Sequence, residues 1–323
     1  MKTVTRLLAG ALSLLVATGP AFGQQGFPTR PITMIVPAPP GGGTDTLSRT
    51  LADLAEPILG QKVVVENKVG ASGTLGVTLL TQAAPDGYTI AGAFNGPLTA
   101  LPHTQSVSYD QSSYVPILEF GSSGYVFCVP ADFPANDGKE FVAHLKANPG
   151  KYTYAVDGIG NTVHLGAEVL FQRFGVKARA VPFNGASEQL RAVLGKHVDI
   201  FTGSSGIVLP HVKAGTLKCP MVTTMSKNPA VPNATSLKEL GVNDFEAALW
   251  WGLIAPKGTP PDRVKTLENA FRKAKESPKF KEVLAKLGAT DERPGQEEFT
   301  KHIRDEHEVN AKVVQQLGLP TKK

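Results

Sequence analysis

Apolar and polar positions along this chain switch repeatedly between a period of two and a period near 3.6. "ITMIV" (32–36) is a short β-branched run and reads as a buried strand. Leu47, Leu51, Leu54 and Ile58 then recur at helical spacing, with Thr44 or Asp45 as the N-cap and Gly60 as the stop. "VVVEN" (63–67) predicts a second strand, "VGASG" (69–73) a glycine-rich turn and residues 74–83 a helix. "DGYTIAGAF" (86–94) predicts a turn and a third strand, with "NGP" (95–97) at its carboxyl end. The order strand, helix, strand, helix, strand implies parallel β-α-β units with right-handed crossovers.

The middle of the chain repeats this grammar. "YVFCVP" (125–130) reads as a strand and residues 138–147 as a helix ended by Asn148-Pro149-Gly150. Residues 152–175 read as strand, glycine loop and helix, 178–185 as strand and loop, and 186–195 as a helix. "VDIFTGSSG" (198–206) and "LKCPMVTT" (217–224) predict two further strands. From Phe245 the text changes: "FEAALWWGLIAP" (245–256) is a long apolar strand. Three helices follow, the first capped by Thr259, the second opening at Ser277-Pro278, the third running from Gln296 to Leu317. The fold class expected is α/β and two-lobed, each lobe a mainly parallel sheet flanked by helices. Residues 24–120 form lobe 1, 121–244 lobe 2, and 245–323 a crossing strand plus helices that pack on the lobes, part of them returning to lobe 1.

Composition narrows the setting. Residues 1–23 carry Lys2 and Arg6, an apolar stretch from Leu7 to Val16 and an Ala21-Phe22-Gly23 cleavage site, the signature of a secretory signal peptide. That apolar run is too short to span a bilayer, and no lipid-acceptor cysteine follows it. Its removal leaves 300 residues and lowers the net charge from +5 to +3. The remaining basic residues are dispersed, which suits a small anion and not nucleic acid. Cys128 and Cys219 would sit in an oxidising compartment, either paired or as buried thiols; sequence alone does not decide.

The candidate chemistry lies in the glycine loops at 38–45, 69–73, 95–97, 157–162, 183–187 and 202–206, all at carboxyl ends of predicted strands, where ligands of open parallel sheets bind. Most lead into helices, whose free N–H groups favour a carboxylate or phosphate. Their side chains are small and neutral: Thr44, Ser72, Asn95, Asn161, Thr162, Asn184, Thr202, Ser204 and Ser205. Catalytic signatures are mostly missing. No G-x-S-x-G elbow, phosphate-loop lysine or G-x-G-x-x-G is present in the expected place. His164 and Glu168 have i, i+4 spacing but no local third ligand, so no metal is expected, and no cofactor. The carboxylates Asp45, Asp157 and Asp199 are scattered over different loops.

The ordered set "IVPAPPGGGTD", "VVVENKVGASGTLG", "APDGYT", "GNTVHLGAE", "VPFNGASEQLRAVLGKHVDI", "LPHVKAGTLK" and "WWGLIAPKGTPPDRV" resembles the Bug receptors, the TctC-like extracytoplasmic solute-binding proteins of tripartite tricarboxylate transporters, over about residues 28–317. The resemblance implies a monomeric periplasmic type II binding protein, a Venus flytrap that closes on one small carboxylate and docks on integral membrane permease subunits. It implies that the loop Pro39–Asp45, with Pro40, Gly42, Gly43, Thr44 and Asp45, grips a carboxylate largely through backbone groups and ordered waters. Ser72 and Gly73, with Asn95 and Gly96, complete that lobe's ligand-binding set. Asn161, Thr162, His164, Phe183, Asn184, Thr202 and Ser204 would select the rest of the solute. Hinges are expected near Glu119–Val126 and Phe245–Gly252, and one of Trp250 and Trp251 is a candidate cleft wall. Three departures bear on specificity. The family commonly has an aromatic at Ala38, Tyr-Lys-Gly at Phe183-Asn184-Gly185, and an aspartate at Thr202. Loss of that acid leads away from an amino-acid ligand and toward a simple or aromatic carboxylate. The alternatives are a sensor of the same fold and a secreted carboxylate-processing enzyme with His164 as base.

Overall fold

β-branched runs at Ile32–Val36 (β1) and Val63–Asn67 (β2) pair in parallel, Ile32 opposite Val63, as their apolar patterns require. The computed structural model describes residues 26–291 and 295–320; the predicted signal peptide lies outside them. Between the two strands runs α1 (Gly43–Leu59), which buries Leu47, Leu51, Ala55 and Leu59 and ends at Gly60 in the left-handed conformation. Next come α2 (Thr74–Thr81), β3 (Thr89–Phe94), a π turn over Gly96–Ala100, and the short α3 (Leu101–Thr104). β3 lies parallel to β1 on the side away from β2.

Two long strands then tie the molecule together. β4 (Tyr114–Pro130) pairs antiparallel with β9 (Ala248–Pro256), from Tyr114 opposite Pro256 to Gly124 opposite Ala248. β9 also pairs antiparallel with β3, so the first half has the order β2-β1-β3-β9-β4. Beyond Gly124 the same strand β4 enters the second half, between β7 (Phe201–Ser204) and β8 (Leu217–Val222). That half is completed by α4 (Gly138–Ala147), the parallel pair β5 (Thr153–Val156) and β6 (Arg179–Pro182), α5 (Thr162–Phe174), α6 (Ala186–Leu194) and α7 (Leu209–Lys213). A parallel bridge between Tyr154 and Ile200 joins β5 to β7. The predicted strand at 125–130 is thus the far end of a 17-residue strand.

Each half has its own core. In the first, Leu47, Leu51, Phe120, Leu253 and Phe271 pack on one face of the sheet, and Val77, Tyr109, Trp250 and Phe299 on the other. In the second, Phe127, Phe141, Tyr154 and Phe171 pack on one face, and Val126, Val193, Phe201 and Val222 on the other. α8 (Pro261–Lys275) and α9 (Pro278–Lys286) cover the first half beside α1, and α10 (Gln296–Gln316) reaches both halves, Val314 meeting Leu165 of α5. Ser277 caps α9 through the Phe280 N–H, as expected. Thr259 does not cap α8: its hydroxyl donates to the Pro256 carbonyl, and Pro260 takes the cap position.

Cys128 of β4 and Cys219 of β8 form a disulfide across neighbouring strands, which decides between the pair and the free thiols. Among the described residues no helix is long and apolar enough to cross a membrane.

Candidate functional site

The two halves face each other across a cleft of about 70 Å³. The first half lines it with Pro37, Ala38, Pro39, Gly42, Gly43, Thr44, Ser72 and Phe94. The second contributes Asp157, Val163, Asn184, Gly185, Ala186, Ser187, Gln189, Thr202, Gly203 and Ser204, and β9 adds Leu249 and Trp251.

Two helix starts dominate this lining. α1 begins at Gly43 and α6 at Ala186, and neither N-cap glycine, Gly42 or Gly185, supplies a side-chain acceptor. Each therefore offers free backbone N–H groups to the cleft, with an acidic residue, Asp45 in α1 and Glu188 in α6, in the same first turn. The loop before α1 is braced from below. Asp45 Oδ2 accepts from the Gly41 N–H at 2.9 Å, and Oδ1 accepts from Arg49 Nε at 2.9 Å and Asn67 Nδ2 at 2.8 Å. Burial pulls the Asp45 carboxyl upward, but these bonds outweigh it and hold it below its usual range. Trp251 forms the floor: its indole N–H donates to Thr44 Oγ1 at 3.0 Å, and its ring lies 3.3 Å from where a side chain on Gly43 would begin. Ser72, also in the lining, holds left-handed dihedrals (φ 54°, ψ 33°), backbone strain of the kind found at ligand-binding loops.

Among the described residues no lysine, arginine or histidine lines the cleft, and Asp157 is the one ionisable residue there. Its Oδ1 is enclosed and has no hydrogen-bond partner. Burial pushes the carboxyl up to about 7, eased only by its own backbone N–H. Gln189 Oε1 is a second enclosed acceptor without a partner.

Of the sequence-predicted residues, Gly42, Gly43, Thr44, Ser72, Asn184, Thr202 and Ser204 come together in this lining. The rest do not. Thr44 and Asp45 lie inside the first turn of α1 and are not its N-cap; Asp45 braces the loop instead of facing the cleft. Pro40 is exposed beside it. Gly73 sits beneath, where an added side chain would strike the Phe94 ring at 3.0 Å. Phe183 packs into the second half's core. Asn95 is fully buried, its amide donating to the Ala248 carbonyl and to Glu306 Oε1, its Oδ1 accepting from the Thr162 hydroxyl at 3.2 Å. Gly96 abuts Asn161, which caps α5 through the Thr162 N–H and holds the Asp157 carbonyl. Asn95, Gly96, Asn161 and Thr162 thus join the two halves beside the cleft. His164 is buried, stacked on Tyr154, with Nδ1 accepting from the Gly160 N–H at 3.0 Å; burial pushes its ring down to about 4, so it is neutral.

The residues missed are Pro37, Phe94, Asp157, Ala186, Ser187, Gln189 and Leu249, whereas Pro39, Val163, Gly185 and Gly203 lie within stretches named for ligand contact without being singled out. Ala186 and Ser187 were within a flagged loop, and their glycine-then-helix context was the available signal. Of the two tryptophans, Trp251 lines the cleft, whereas Trp250 packs on Phe299 and donates to Glu306 at 2.7 Å.

Comparison with known proteins places this geometry. The profile of the tripartite tricarboxylate transporter family receptors, TctC, matches residues 47–319. The UPF0065 protein in the gbd 5' region of Cupriavidus necator is 36% identical over 317 residues, 97% of this chain and 95% of that one. The periplasmic binding protein BugD superposes with a TM-score of 0.84 at 32% identity, covering 91% of this chain and 99% of BugD. MatC from Rhodopseudomonas palustris, with bound malate, gives 0.82 at 27% identity, covering 89% and 100%. R. palustris Rpa4515, with adipate, gives 0.85 at 26% identity, covering 91% and 99%.

Proposed function

The chain belongs to the tripartite tricarboxylate transporter family receptors, and from that premise we propose that it captures one small carboxylate in the periplasm and delivers it to a membrane permease of that transporter type. The observation that carries the reading is the pair of uncapped helix N-termini, α1 from one half and α6 from the other, which converge on a cleft holding no basic side chain. Two such ends supply backbone N–H donors from both sides, the groups that hold a carboxylate at a helix start. Malate in MatC and adipate in Rpa4515 support the carboxylate class.

Capture works by closure. A solute held by α1 on one side and α6 on the other favours the closed form only through contacts that the open form lacks. β4 and β9, paired near Gly124 and Ala248 where the sheet passes from one half to the other, are the hinge. The N-terminal signal peptide directs export and is cleaved. His164 does not serve as a catalytic base in this account, because its ring is buried and its Nδ1 is occupied.

The test is native mass spectrometry of the protein isolated from its own envelope fraction, then calorimetry with the released molecule. One carboxylate that rebinds one-to-one and is recovered unchanged supports a receptor. A compound turned over on rebinding refutes it. Deleting the protein separates transport from sensing: loss of uptake supports delivery to a permease, and loss of a transcriptional response with intact uptake supports a sensor.

A further inference from the structure

Asp157 and Gln189 both line the cleft, and each has one enclosed side-chain oxygen without a hydrogen-bond partner, Asp157 Oδ1 and Gln189 Oε1. A buried polar atom left unpaired costs free energy, and an unpaired buried charge costs more. Among the described residues the lining holds no lysine, arginine or histidine to meet Asp157. The helix ends of α1 and α6 offer donors, which suit the solute's carboxylate and do nothing for these two acceptors. A donor group on the solute would meet this unmet acceptor capacity. The charge balance points the same way. One carboxylate is met by the donors of the two helix ends, and Asp157, once ionised, has no basic side chain opposite it among the described lining residues.

We propose that Asp157 is the specificity-determining residue of the cleft, and that the solute is a zwitterion whose ammonium group sits on Asp157 while its carboxylate sits on the helix ends. This rests on the carboxylate-receptor reading and deepens it. It reverses the expectation drawn from Thr202, whose hydroxyl is spent on the Ala155 carbonyl within the sheet. The acid stands instead at the end of β5, on the adjoining strand, where Asn161 Nδ2 holds its backbone carbonyl at 3.1 Å. Gln189 can accept a second ammonium proton. A diacid would set two carboxylates face to face and could bind only with a proton between them.

The groups around Asp157 leave its titration its own. His164 of α5 is neutral at pH 7, burial keeping its ring down near 4. Tyr125 of β4 is neutral, held well above its usual 10 by burial, and the carboxyl of Glu306 on α10 is raised by burial behind it. α1 and the loop before α2 face the cleft with Thr44 and Ser72, and α6 faces it with Ser187 and Gln189, none of them titratable. With Asp157 raised to about 7, an ammonium binds the ionised form and its affinity rises with pH through 7; a diacid binds the protonated form and its affinity falls.

The experiment is calorimetry on the mature chain, stripped of solute, at pH 6 and pH 8. The probes are carboxylic acids of three to six carbons and benzoates, each in matched versions bearing ammonium, hydroxyl, methyl or a second carboxylate. The ammonium version of the best-fitting skeleton is expected to bind at least tenfold tighter than its methyl and diacid versions at pH 8, and tighter at pH 8 than at pH 6. Asp157→Asn is expected to abolish both differences, and Asp157→Ser serves should the first variant melt early. A diacid or methyl version that binds wild type equally well at pH 8, or an unchanged order in Asp157→Asn, overturns the assignment while leaving the receptor. Alkylammonium probes without a carboxylate that bind as well as the amino acids overturn the carboxylate reading and with it the zwitterion. Failure of every probe overturns both.

Discussion

Replacing Gly96 with alanine adds one methyl group where the halves meet. That methyl would stand 1.6 Å from Asn161 Oδ1, 2.5 Å from its Cγ and 2.9 Å from its Nδ2, against ordinary contacts of about 3.5–4 Å. The two halves must either part by about 2 Å here or Asn161 must turn away. Turning it breaks the bonds to the Thr162 N–H (2.8 Å) and the Asp157 carbonyl (3.1 Å), each worth about 1 kcal/mol. Overpacking a contact costs about 1–3 kcal/mol by itself, so either route loses about 2–3 kcal/mol in the closed form. Gly96 opens a helical turn with an ordinary φ, so alanine brings no backbone strain. If the contact forms only on closure, the ligand-free protein keeps its melting temperature and the solute binds about 30- to 150-fold more weakly. The assays are calorimetry with the solute recovered from the native protein and thermal melting without it. Affinity within threefold of wild type refutes the clash. Ligand-free melting lowered by more than about 5 °C refutes the closure, because Gly96 and Asn161 would then be permanent core.

Three further perturbations test other parts of the account. Ala186→Pro removes one cleft-facing N–H at the first position of α6, where proline is tolerated; calorimetry should show about 10- to 100-fold weaker binding at an unchanged melting temperature, and unaltered affinity would exclude that helix end from the grip. Asp157 is raised from 3.8 to about 7, so the folded chain holds its proton longer than the unfolded chain and loses stability as pH climbs between those values. Part of the residue stays open to the cleft, where water screens it, so Asp157→Asn should stabilise the ligand-free protein by about 1–4 kcal/mol at pH 8 and by nothing near pH 4 in chemical denaturation; equal effects at both would contradict the burial. Replacing Cys128 and Cys219 with serine opens a covalent loop with a sequence separation of 91 residues and should cost about 4–5 kcal/mol, read from the denaturation midpoint; an unmoved midpoint would contradict the cross-link's role.

Much of the fold was legible because short β-branched runs and glycine stops leave few alternatives. β1 and β2 fall on the predicted residues, as does α4. The first part of β4 was not legible as strand: "YVPILEFGSSG" carries Pro116, Gly121 and Gly124, which weaken any strand signal, and pairing with β9 overrides them. The start of α1 was misplaced because Asp45 has capping chemistry. It uses that chemistry from inside the first turn, reaching back to Gly41. The six glycine loops were equally good candidates by composition, yet 38–45 opens onto the cleft and 95–97 is buried against Asn161. Nothing local separates them; the difference lies in which loop the other half brings opposite. Asp157 likewise read as one of several scattered carboxylates, and only its enclosure without a partner singles it out.

The most direct test of the grip is amide 15N–1H NMR of the mature protein titrated with its recovered solute. The largest one-to-one shifts are expected on Gly43, Thr44, Ala186 and Ser187, at the two helix starts that line the cleft from either half. Largest shifts elsewhere, with those four amides unmoved, would contradict the grip.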